Sequence, residues 1–136
     1  TRDCEFLLAE AYHQAGEFSK AAYLYEKVLK RECEKAYFYN FAQEIKLMLK
    51  DIYVHYLKIS SDSEEIGMYV EKIMKIGLPK NVVTWVYKKA AEAYLRVNDP
   101  YNAEAHLRYA FQLNKKLTGV KKIIRKLGLE DEFTKK

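Results

Sequence analysis

The chain has 136 residues, of which 49% are hydrophobic and 32% charged, a balance that suits one domain able to bury a core without staples. Its net charge is +5, no apolar run is long enough to span a bilayer, and the opening TRDCEFLL lacks a basic stretch before an apolar one. A membrane span and a secretory leader are therefore not expected, and Thr1 in place of Met suggests a piece of a longer protein. Two cysteines, Cys4 and Cys33, are too few for a disulfide framework and form no C-x-x-C. Packed thiols in a reduced, cytoplasmic setting are the expectation. Only 5 Gly and 2 Pro interrupt a chain rich in Ala, Leu, Lys and Glu, so helices are expected throughout.

The tetrapeptide Ala9-Glu10-Ala11-Tyr12 opens the pattern and returns as Ala91-Glu92-Ala93-Tyr94. Nine residues after each Tyr stands an alanine, Ala21 in the first copy and Ala103 in the second. From Ala21 the apolar series continues through Tyr25, Val28 and Leu29, and from Ala103 through Leu107, Ala110 and Phe111. Both series step i, i+4, i+7, i+8, which is one face of an α-helix. Each copy is thus a pair of helices joined by a short turn, Ala15-Gly16-Glu17-Phe18 in one and Val97-Asn98-Asp99-Pro100 in the other. Gly16 and Asn98 can take the left-handed conformation that ends a helix, and Ser19 and Asn102 are candidate caps for the second helix.

Between the copies, residues 36–59 hold no Gly or Pro and read as one long helix through Phe41, Ile45, Leu49, Ile52 and Tyr56. Ser60-Ser61-Asp62-Ser63 breaks it, and Asp62 or Ser63 caps the next helix, whose apolar stripe is Ile66, Val70, Ile73 and Met74. Gly77 ends that helix and Pro79 stands where another begins. The final segment, 117–127, reads as an amphipathic helix through Leu117, Val120, Ile123, Ile124 and Leu127.

These features resemble the tetratricopeptide repeat, a pair of antiparallel helices in about 34 residues. Ala9, Ala21 and Val28 match its small or compact sites in one repeat, and Ala91, Ala103 and Ala110 match them in the other. Leu8, Tyr12, Phe18 and Tyr25 match the large sites, as do Tyr94 and Leu107. The chain departs from the pattern in lacking the Trp early in each first helix and the closing Pro, and in placing Pro100 where the turn carries an aromatic. The resemblance implies an all-α fold, a right-handed superhelical array of antiparallel helix pairs with a C-terminal capping helix. Within a single domain, 1–34 form the first repeat, 35–77 a divergent and stretched second, 78–115 the third, and 116–136 the capping helix and tail.

In that family the first helix of each pair lines a concave groove that binds extended or helical peptides. Carried onto this chain, the groove candidates are Phe6, Glu10 and His13 from the first pair and His55 and Lys58 from the middle helix. The last pair supplies Lys88, Glu92 and Arg96, with Trp85 near the start of its first helix. A groove of mixed charge with aromatic anchors suits peptide recognition, as do the 12 tyrosines of the chain. Some members clamp the C-terminal carboxylate of chaperones with Lys and Asn in the first repeat. Phe6 and Glu10 occupy those sites here, so that clamp is not expected.

The charge is concentrated at one end. Residues 115–136 carry eight basic and three acidic side chains, which accounts for the whole net charge. Such a helix can meet an acidic partner, although a solvated outer face is the commoner role. No H-E-x-x-H, G-x-G-x-x-G or P-loop occurs, and His13, His55 and His106 have no metal-ligand spacing. No enzyme, cofactor or metal is expected. The expected role is a scaffold that binds a partner protein or peptide. A peptide-sensing regulatory domain is the alternative, nucleic acid is disfavoured, and self-association through exposed ends of the array is allowed.

Overall fold

A computed structural model describes residues 4–32 and 39–134. All of the described secondary structure is helical, in the order α1 Cys4–Gln14, α2 Phe18–Glu32, α3 Tyr39–Ile59, α4 Ser63–Met74, α5 Lys80–Arg96, α6 Pro100–Leu113, α7 Lys121–Leu127 and α8 Glu130–Thr134. The chain divides into two compact units, Thr1–Tyr53 and Val54–Lys136, with the division falling inside α3.

In the first unit α1 packs along α2. The helices are joined where Gly16 adopts φ 81°, a left-handed conformation that a side chain would strain. Ala9 and Ala21 are fully buried, and their small size lets the two backbones approach. Tyr25, Val28 and Phe6 fill the adjoining space, and Phe41 of α3 closes on Phe6 with ring centroids 4.5 Å apart. Ser19 lies inside the first turn of α2, past the position at which a cap acts, and is exposed.

In the second unit α5 packs along α6, with α4 and α7 also against α5. The positions that repeat those of the first unit are buried again: Ala91, Ala103 and Ala110 are as inaccessible as Ala9, Ala21 and Val28. The turn between α5 and α6 places Asn98 at φ 62°, the one non-glycine residue with positive φ among the described residues. Asp99, not Asn102, caps α6. Its carboxylate accepts from the Asn102 backbone N–H at 3.1 Å and from the Asn102 side-chain amide at 2.7 Å. Pro100 follows at the first helical position, where its missing N–H costs nothing. Asp62 caps α4 by accepting from the Glu65 N–H.

The expected long terminal helix is shorter than its apolar pattern. Helix begins only at Lys121, because Gly119 turns the chain with φ 74° and residues 114–120 carry no regular helix. The apolar side chains still reach one destination. Val120, Ile123 and Ile124 are buried in a cluster with Ala91 and Leu107, and Leu117 and Leu127 pack against it. Gly128, at φ 69°, stops α7, and α8 follows it. Cys4 is exposed and not packed, since it stands at the first position of α1; Cys33 lies outside the described residues.

Candidate functional site

The nine groove candidates divide between the units. In the first, Phe6 has no exposed surface and is a core residue, touching Tyr25 and Phe41. It offers nothing to a partner. His13 is half-buried, its Nδ1 lies 3.2 Å from the Tyr25 hydroxyl, and its ring stands edge-on to Phe18 and Tyr25. Glu10 is half-buried, and its charge, with that of Glu44, adds to the burial that pushes the Tyr25 phenol up to about 12. These α1 side chains are thus organised around Tyr25, an internal arrangement that the stripe of α1 alone did not disclose. The open surface of this unit lies elsewhere, in a shallow cleft of about 360 Å³ bordered by Leu8, Tyr12, Tyr23 and Leu24. Leu8, matched to a large core site, is 46% exposed there.

The second unit gathers the other six. Trp85, Lys88, Glu92 and Arg96 follow one another at three- and four-residue steps and so lie along one stripe of α5. Lys58, near the end of α3, places its ammonium 6.0 Å from the Trp85 ring centroid, and Lys89 approaches the same ring to 5.6 Å. His55 is exposed and stands edge-on to Tyr56. Tyr56 stacks on Tyr69 of α4, which joins the end of α3 to this unit.

Arg96 has a second occupation. Its guanidinium donates to the carbonyl oxygens of Ser60, at 2.7 Å, and Leu57, at 3.2 Å. Those carbonyls lie at and just past the C-terminus of α3, where the last turn has no helical donors and the helix dipole is negative. Arg96 is therefore an anchor of the fold as well as a surface cation. Sequence reasoning missed this because the partner carbonyls are 36 and 39 residues away.

Two clefts flank the α5 stripe. One, of about 550 Å³, has Thr84, Trp85 and Lys88 on one side and Leu113, Leu117 and Thr118 on the other. The second, of about 590 Å³, lies between α5 and α7. Its α5 side is Glu92, Leu95 and Arg96; its α7 side is Lys121, Lys122, Ile123 and Lys126, with Gly119 at one end. Lys88 lines the first, and its ammonium donates to the Thr118 carbonyl at 3.4 Å. A Cβ on Gly119 would stand 2.7 Å from the Lys88 Nζ, so a glycine suits both the turn and the lysine beside it.

The electrostatics of the second cleft are one-sided. Arg96, Lys121, Lys122 and Lys126 face a single carboxylate, Glu92, which already pairs with Lys89 at 3.4 Å. Among the described residues, no carboxylate pairs with Lys121, Lys122 or Lys126. The acidic residues after α7 are engaged elsewhere in part: Glu132 accepts from Arg108 of α6, which also pairs with Glu104. These two carboxylates hold the Arg108 guanidinium above its usual range.

His106 lies in an aromatic setting made by Tyr87, Tyr94 and Tyr109, with ring centroids 4.9–5.9 Å away. Its Nδ1 is 2.8 Å from the Asn102 carbonyl oxygen, and burial pushes its pKa down. Among the described residues no three His, Cys, Asp or Glu side chains are grouped to hold a metal, and no helix is long and apolar enough to cross a membrane. In comparisons with known proteins, no family model, no curated protein and no solved structure matches the chain.

Proposed function

We propose that this chain is a helical-repeat module of the tetratricopeptide type, whose task is to hold a partner protein and not to transform a substrate. The binding face is the α5 side of the second unit. One observation carries this reading: the stripe Trp85, Lys88, Glu92 runs along α5 from one open cleft to the next. Polar and aromatic side chains around a partly apolar concavity are what partner recognition requires, since apolar contact supplies affinity and the charges supply orientation. The paired helices with buried alanines at matched positions support the repeat assignment. The two most enclosed histidines serve internal bonds, His13 with Tyr25 and His106 with Asn102, which favours holding over catalysis.

The test is affinity capture from native lysate with the chain as bait, beside a W85A/K88E variant. Arg96 is left intact because its loss would disturb α3. A protein held by the wild type and lost by the variant supports the reading. Equal capture by both, or none by either, contradicts it.

A further inference from the structure

The charge of the cleft between α5 and α7 selects a class of partner. We propose that this cleft binds an acidic peptide segment carrying an apolar side chain, the carboxylates meeting Lys121, Lys122 and Lys126 and the apolar group resting on the half-buried Leu95. The inference rests on the reading of the α5 side as the binding face and names what that face takes.

Three observations combine. The three lysines border a cleft of about 590 Å³, room for one or two side chains of a bound segment, and no carboxylate among the described residues neutralises them. Leu95 and Ile123 belong to the same apolar cluster as Ala91 and Leu107, so the apolar wall is backed by the core and cannot yield. Glu92 is the sole carboxylate on the border, and it pairs with Lys89 at 3.4 Å. The potential inside is therefore positive, and a concave surface concentrates it.

The alternatives fit less well. A membrane surface would need an exposed apolar stripe beside the lysines, yet the apolar side of α7, Ile123 and Ile124, is buried. Single-stranded nucleic acid would need aromatic platforms for its bases, and no aromatic residue borders this cleft. Carboxylates spaced along a peptide, with an apolar residue between them, match both the ammonium groups and the wall.

The test uses the full chain and a fluorescein-labelled decapeptide of Glu and Asp with one central Leu, followed by fluorescence anisotropy at low salt. Binding is expected to weaken with added salt. The variant K121Q/K122Q/K126Q should weaken it about tenfold or more while the circular dichroism spectrum is unchanged. A peptide with Ser in place of the Leu should bind several-fold more weakly. Glu92→Gln should tighten binding about two- to threefold, a gain that misfolding cannot imitate. No binding, or binding that ignores the lysine substitutions or Glu92→Gln, overturns the proposal. So does tighter binding of an oligonucleotide of equal charge, or of vesicles containing phosphatidylserine. If the peptide fails while W85A/K88E still abolishes capture from lysate, only the partner class falls. If both fail, the binding face falls with it.

Discussion

Tyr25 shows what a single residue contributes. Its ring fills the space beside Phe6, and its hydroxyl meets His13, so one side chain serves packing and polarity together. Tyr25→Phe keeps the ring and should cost about 1 kcal/mol in urea unfolding, the net worth of a hydrogen bond. Tyr25→Ala opens a cavity and should cost about 3–5 kcal/mol. Equal losses from the two would refute the division. The repeat spacing marked Tyr25 as a large core site, but not its hydroxyl partner, since helical periodicity reports the face of a residue and not the polar atom waiting there. Arg96 teaches the same lesson more sharply. Its place on the exposed stripe of α5 was legible, whereas its bonds to the end of α3 depend on how two distant segments meet. Arg96→Ala should destabilise the chain by about 1–2 kcal/mol, because it strands two carbonyl oxygens.

Two titrating groups of α6 and its cap contribute to the acid limb of stability. Hydrogen bonds from Asn102 and Ser63 hold the Asp99 carboxyl below its ordinary value of 3.8. Its stabilising contribution is complete above that ordinary value and is lost as pH falls through the lower folded one. Burial holds His106 below its ordinary 6.5, so from there downward the unfolded chain takes up a proton that the folded chain refuses. Stability should therefore decline as pH falls below about 6.5, well before the carboxylates titrate. His106→Asn should flatten that upper part of the decline in melting temperature measured against pH, and a slope left intact would exclude His106 as its source.

At the scale of elements, the sequence was most informative about where helices stop. Gly16 and Asn98 carry the left-handed conformation expected of them, and Gly77, expected to end its helix, shares it, because a positive φ leaves few residues to choose from. Helix starts were harder to read, since Asp, Ser and Asn all cap and often stand close together. Asp99 and Asn102 illustrate this: the side chain that caps is three residues before the one expected. Asp99→Ala should cost about 1 kcal/mol or somewhat more, because Ser63 of α4 also donates to Asp99, at 2.7 Å. The last helix failed differently. Its apolar spacing continued back to Leu117, yet Gly119 makes the chain turn, and Leu117 reaches the same core from a loop. Periodicity revealed what is buried without fixing how it gets there. Gly119→Ala should cost about 1–2 kcal/mol from its backbone alone, while Lys88, a flexible tip, moves aside.

At the scale of the molecule, the repeat dominates. Two copies of one pattern, 82 residues apart, fold into two helix pairs with the same small residues enclosed, and this much was plain in the sequence. The division inside α3 was not, because an unbroken helical pattern gives no sign of where one compact unit ends. The site was legible in half. The helical spacing of Trp85, Lys88 and Glu92 along α5 and the basic end were both readable, but only packing of α7 against α5 brings Glu92 and the lysines to one cleft. The same packing predicts the effect of removing residues 116–136. Val120, Ile123 and Ile124 leave Ala91 and Leu107 uncovered, and burying each Val or Ile is worth about 1.5–3 kcal/mol. The truncated chain should melt far lower, whereas K121Q/K122Q/K126Q, which alters only exposed side chains, should melt within a degree or two of the wild type.

The α5 side of the second unit is the face proposed to hold a partner. This is tested most directly by a photo-crosslinking amino acid placed at Glu92, with the same group at the exposed Tyr101 of α6 as the control, in cells that make the protein. A discrete, heavier adduct is expected from position 92 and none of comparable yield from position 101. Adducts of equal yield from both, or from 101 alone, would place the partner elsewhere and contradict the proposal.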